Sequence, residues 1–215
     1  GLILDITRQQ NMDAELKYHH AFKNLILSLS TRFIHISTEE IDTAINDALM
    51  ALGDFTGVDR TYIFAYSNTG QTMSCTNEWC RTGVPPQIHR LQGIQVDSLS
   101  WSNQKLLRGE LLHIPSVTNL PEEAQNERVE FQSQGILSLL AVPMIFQGAV
   151  IGILGFDSVR SEKSWDADSV NLLHVAGSIF VNAQENKRTQ ESLRKAHADL
   201  ELRVKERTDE LKQAN

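Results

Sequence analysis

Two cysteines in 215 residues exclude a disulfide-stapled scaffold. Cys75 and Cys80 lie five apart in one expected strand. An odd separation places them on opposite faces of a regular strand, away from a common bridge or metal. Both are expected to be reduced thiols. A basic excess is also missing: Lys+Arg 20 against Asp+Glu 27 leaves a formal charge of −7. Residues 184–215 hold eight Lys/Arg and seven Asp/Glu, a balance of +1, so the remainder carries −8. That sign does not suit a phosphate backbone, and no nucleic-acid partner is expected. No apolar run reaches membrane-span length and no signal peptide opens the chain, so a cytoplasmic location is expected. Motifs for chemistry are absent too. There is no Ser-His-Asp set, phosphate-cradling glycine loop, metal-spaced histidine cluster, phosphoacceptor-histidine motif or Gly-Gly-Asp/Glu cyclase loop. No catalytic or metal-binding residue is assigned, and any catalytic output is expected beyond Asn215.

What is present is concentrated at the C-terminus. Leu193, His197, Leu200, Val204, Arg207 and Leu211 follow one another by four, three, four, three and four. This is a heptad seam suited to a parallel two-stranded coiled coil. The stripe is narrower than packing on a globular core requires, and the flanking positions interleave both charges. No Gly or Pro interrupts it, and the pattern has no terminating cap. With Gly rather than Met at position 1, this suggests a piece of a longer protein. A second seam, Phe22, Ile26, Leu29, Phe33 and Ile36, has the same stepping. Both seams are expected to face a second copy of the chain.

Along the chain, 1–7 reads as a short strand followed by a polar helix. A helix over 41–55 ends at Thr56-Gly57. Strands over 58–67 and 71–80 form a hairpin around Asn68-Thr69-Gly70, with Tyr62, Phe64 and Tyr66 on one face. In its partner, Met73, Cys75, Asn77 and Trp79 are expected on one face. Short helices over 98–107 and 121–134 flank a strand at 111–114. Two apolar strands, 136–146 and 149–156, read as buried on both faces. A final helix opens at Ser164-Trp165-Asp166 and runs into the coiled coil. Its packed stripe includes Val170, Leu173, Gly177 and Phe180. This order predicts an α+β fold: an antiparallel sheet with helices on one face, a loop-rich roof over a pocket on the other, and long N- and C-terminal helices.

The residues Gly135-Ile136-Leu137-Ser138-Leu139-Leu140-Ala141-Val142-Pro143-Met144, Gly148 to Gly155 and Phe156-Asp157 resemble the two core strands of a GAF domain. That family is a small-molecule sensing module of bacterial signalling proteins. Asn77-Glu78-Trp79-Cys80, Leu120-Pro121 and Ser164-Trp165 fit a subgroup from multidomain sensors. The resemblance divides the chain into 1–8, similar to the end of a PAS domain; 9–36, a connecting helix; 22–183, the GAF domain; and 184–215, a coiled-coil linker. The linker resembles those that precede histidine kinase or diguanylate cyclase domains.

The resemblance implies a regulatory sensor in a two-component pathway, passing a signal from a ligand or an upstream domain through a homodimer to an output domain, a histidine kinase or, as the second choice, a diguanylate cyclase. The alternative is a structural dimerisation spacer with no ligand, and a third is a cysteine-dependent methionine sulfoxide reductase. Tyr62, Trp79, Trp101, Phe131 and Ser138 are the ligand-binding candidates, and the small molecule is unknown. Cyclic nucleotide is not supported, because Asn126-Glu127-Arg128 followed by Phe131 departs from the family's signature. Bilin is not supported, because neither cysteine has the Cys-His helical context of pigment attachment. Haem is not supported, because His89 and His113 are lone histidines in the roof region.

Overall fold

The computed structural model describes residues 2–34 and 36–213, with side chains described at 9, 12, 16–34, 36–201 and 203–205. Six strands form one antiparallel sheet: β1 (Arg60–Tyr66), β2 (Thr72–Cys80), β3 (Ile94–Gln95), β4 (Leu112–Ile114), β5 (Ser138–Phe146) and β6 (Ala149–Ser158). Their order is β3-β2-β1-β6-β5-β4. The apolar strands β5 and β6 turn at Gln147 and Gly148, with φ of 50° and 82°. Two successive positive φ values give the turn whose twist matches the paired strands.

One face carries helices α2 (Ile41–Thr56) and α5 (Ala167–Gln213), with α1 (Leu2–Ile34) laid across them. α2 stops at Gly57, whose φ of 67° lets its N–H reach the Gly53 carbonyl. The core here joins Ile45, Leu49 and Leu52 of α2 to Leu140, Val142 and Leu154 of the sheet and to Leu172, Leu173 and Phe180 of α5. The opposite face is roofed by residues 81–137, which include α3 (Ser100–Leu107) and α4 (Gln125–Ser133). α+β architecture with helices on one face and a roof on the other is thus as expected. No helix among the described residues is long and apolar enough to cross a membrane.

Three expectations are corrected. Residues 2–7 are the first turns of α1, not a strand. A short apolar run fits either period, and here the helix that follows extends through it. The stripe Phe22, Ile26, Leu29 and Phe33 packs onto this chain's own core, with Leu29 at 4% exposure and the Phe33 and Phe180 rings 5.5 Å apart. The apolar side chains that face outward on α1 are instead Met12, Leu16, Leu27 and Ile34. On α5, Leu193, Leu200 and Val204 are exposed, whereas Arg207 and Leu211 lie outside the described side chains.

The third correction concerns β2. Ile63 pairs with Asn77 but Phe64 pairs with Cys75, so Thr76 is an unpaired extra residue. A bulge shifts the side-chain alternation by one. Met73 and Cys75 therefore face the roof, whereas Asn77 and Trp79 face α2. Past the bulge, Glu78 lies across from Tyr62 and Cys80 across from Arg60. Cys75 and Cys80 thus share the roof-side face, contrary to the odd-separation argument.

Candidate functional site

Between sheet and roof lies a narrow cavity of about 60 Å³. Its sheet wall comes from period-two alternation. Arg60, Tyr62 and Phe64 point in from β1, Leu139 and Ala141 from β5, and Ile153 and Asp157 from β6. The roof supplies Leu99, Leu106 and Leu112, and Phe131 and Ile136 close the side. Two polar roof residues are hydrogen-bonded. Asn103 accepts from the Tyr66 hydroxyl at 2.7 Å and donates to the Val96 and Leu99 carbonyls. The buried Glu127 carboxylate accepts from the Ser102 N–H and hydroxyl at 3.0 and 3.3 Å.

One end of the cavity is polar. Arg60 Nη2 donates to the Gln134 carbonyl at 2.6 Å and Nη1 to Gln134 Oε1 at 3.4 Å. Its carboxylate partner, Asp157, is 3.7 Å from Nη1, and both side chains are 2% exposed. The Tyr62 hydroxyl donates to Asp157 Oδ1 at 3.0 Å. The Nε–H of Arg60 is buried and has no acceptor among the described residues. Burial raises Asp157 to about 7, with Arg60 and the Tyr62 hydrogen bond pulling the other way. Burial wins because the ion pair is too long to be a hydrogen bond. Glu78 lines the same end and is held by the N–H groups of Gln87 and Ile88 at 2.8 and 2.9 Å.

Of the residues singled out in the sequence, Tyr62 and Phe131 line the cavity. Trp79 is on the other side of the sheet, against Gly53 of α2 and with Arg81 5.4 Å from its ring. Trp101 packs on the roof-side core, its ring 5.0 Å from Lys105 Nζ, without lining the cavity. Ser138 donates to the Pro115 carbonyl at 2.8 Å and accepts from the Lys163 N–H at 2.7 Å, bracing two loops. Arg60, Glu78, Gln134 and Asp157 were not anticipated. Extending the Tyr66, Phe64, Tyr62 alternation one step back would have reached Arg60.

The two thiols share a face, but burial pushes both up to about 12, and Glu78 adds to the effect. A thiolate nucleophile is therefore disfavoured here by burial and a neighbouring carboxylate rather than by opposed directions. Among the described residues, no three His, Cys, Asp or Glu converge to hold a metal ion.

The chain is similar to the methanogenesis regulatory histidine kinase FilI of Methanothrix harundinacea (strain 6Ac), at 30% identity over 210 residues. That match covers 96% of this chain, and the chain spans 23% of the relative's length. Its fold is similar to the phycocyanobilin-bound GAF domain from a cyanobacterial phytochrome, with TM-score 0.65 and 12% identity over 79% of this chain and 96% of that one. It is similar as well to the far-red absorbing dark state of JSC1_58120g3 with bound biliverdin IXa, with TM-score 0.65 and 12% identity over 76% and 99% of the two chains. These structures overturn the expectation that sets bilin aside, since the fold of this chain is one that houses bilins in other proteins. Cysteine context bears on covalent attachment and does not decide whether a pigment is held. The GAF domain model matches residues 40–183, and the chain belongs to the GAF domain family.

Proposed function

We propose that this chain is a ligand-responsive regulatory module that signals along α5 to an output domain, a histidine kinase in the whole protein, as a parallel cytoplasmic homodimer. In this reading, residues 1–8 end a preceding domain and 184–215 link to the output. The observation that carries it is the extent of the match to the histidine kinase. It spans 210 residues, beyond the 40–183 domain and into both long helices. The sequence similarity thus runs along α1, the domain and α5 of this chain.

The coupling route follows from strand alternation. On β5 and β6, Leu139, Ala141 and Ile153 belong to the roof-side core, while Leu140, Val142 and Leu154 belong to the core beneath α5. A ligand that displaces the first set moves the strands against which α5 packs. α1 and α5 are tied by the Phe33–Phe180 contact, and α5 is tied to α2 by Lys187–Asp42 at 2.7 Å. The ligand shifts this packing only to the extent that it binds two arrangements unequally.

A second reading, the ligand-free spacer, is favoured by the narrowness of the cavity. Holding a tetrapyrrole here would require the roof to move outward. Native mass spectrometry of the purified chain, before and after incubation with biliverdin or phycocyanobilin, separates the readings. A dimer that gains ligand mass, with a new visible absorption band if the ligand is a pigment, supports the sensor. A dimer with bare mass whose melting temperature no small molecule raises supports the spacer.

A further inference from the structure

We infer that the cavity takes a small, uncharged, largely apolar molecule whose carbonyl-type oxygen accepts the Nε–H of Arg60. This rests on the sensor reading and names its ligand class. A buried charged donor with no acceptor loses about 1–3 kcal/mol or more, so a native protein seldom keeps one without a reason. Among the described residues, the protein's own groups do not supply the acceptor. The Gln134 carbonyl and side-chain oxygen take Nη2 and Nη1. Asp157 Oδ1 takes the Tyr62 hydroxyl, and Oδ2 stands 3.7 Å from Nη1. The unpartnered N–H belongs to a side chain that lines the cavity and is 2% exposed.

Charge selects the kind of acceptor. Asp157, Glu78 and Glu130 line the cavity with Arg60, and Glu130 is paired with Arg90 at 2.5 Å. A carboxylate or phosphate entering at Arg60 meets the Glu78 carboxylate and, above about pH 7, the ionised Asp157 as well, so the probes are compared above that pH. Low dielectric magnifies that repulsion. An ammonium suits the carboxylates but has no lone pair for Nε–H. An amide, ketone or ester oxygen meets the donor without adding charge. Away from Arg60 the walls are Leu99, Leu106, Leu112, Leu139 and Ile153, which offer an alkyl or aryl group only dispersion and burial. The cavity of about 60 Å³ limits the occupant to a slim molecule unless the roof yields.

The test uses the unmodified chain and three probes that differ only at the head: hexanamide, hexanoate and hexylammonium. Dissociation constants are measured by calorimetry, and the Arg60 Nε–H signal is followed in proton–nitrogen correlation spectra. Hexanamide is expected to bind about tenfold more tightly than either ion, because hexylammonium forfeits the hydrogen bond and hexanoate meets the neighbouring carboxylates, and to shift the Arg60 signal. Equal binding of all three, or hexanamide binding that leaves the Arg60 signal in place, overturns the anchor while leaving a ligand-binding cavity. Tightest binding by hexanoate makes this an anion site and overturns the uncharged class. If no probe binds, this inference falls, while the sensor reading, carried by the extent of the histidine kinase match, is decided separately by the native mass spectra.

Discussion

Burial at Asp157 ties the stability of the folded chain to pH. In the unfolded chain Asp157 releases its proton near its ordinary value of 3.8, whereas in the folded protein burial holds the proton to about 7. The folded state therefore gains from that proton below about pH 4 and loses the gain as pH rises to about 7. From this group, stability is expected to fall across that window by up to about 1.4 kcal/mol per pH unit. Asp157→Asn keeps an acceptor for the Tyr62 hydroxyl and removes the titration. Urea midpoints taken across the window should show a flatter profile in the variant; an identical slope in both proteins would assign the pH dependence elsewhere. Gly152 makes a different local demand. A Cβ there would run into the Phe64 carbonyl oxygen across the β1–β6 pairing, and a backbone atom cannot swing aside. Gly152→Ala is expected to cost about 1–3 kcal/mol in a denaturant titration. Neither feature was identified from sequence. Asp157 was noted as part of a family pattern, but its pairing with Arg60 joins β6 to β1 over nearly a hundred residues. The Thr76 bulge likewise leaves no mark in a sequence that alternates regularly, which is why the cysteines were assigned to opposite faces.

Element existence was legible because the periods are strong. The 41–55 helix, both hairpins and the long final helix have patterns that tertiary packing reinforces, and they form within a residue or two of expectation. Direction was harder to read. On α1 the stripe through Phe22, Ile26, Leu29 and Phe33 has heptad stepping, yet it packs on α2 and α5 of the same chain. A heptad stripe specifies a packed face without saying whose surface covers it. Leu29 and Leu27, two residues apart on α1, test the assignment at nearly equal helix propensity. Leu29 is 4% exposed and Leu27 is 65% exposed. Leu29→Ala should cost about 2–5 kcal/mol, and Leu27→Ala less than about 0.5 kcal/mol. Equal losses for the two variants in thermal or urea unfolding would mean that α1 does not dock as described.

The proposed assembly makes a demand on α5 that single-chain packing does not. Residues beyond the domain on α5 are solvated: Leu193 is 70% exposed and Leu200 is 61% exposed, one heptad apart. An isolated amphipathic helix of that composition gains little from its own apolar stripe, and in the proposed homodimer a second copy covers it. His197, between them in the seam, is within 3.5 Å of Glu201 and 70% exposed, so it adds little to pairing by one chain alone. Leu193→Asp with Leu200→Asp places like charges opposite each other in a parallel pair. The variant is expected to sediment as a monomer at concentrations where the parent chain is a dimer. Its domain melting should be unchanged, because both positions lie outside the buried core. If the variant remains a dimer, the outward side chains of α1, Leu16, Leu27 and Ile34, become the surface to mutate next. If the parent chain is itself a monomer, the coiled coil cannot hold two copies together unaided, and a signal passed along α5 would then need flanking domains to bring the helices into register.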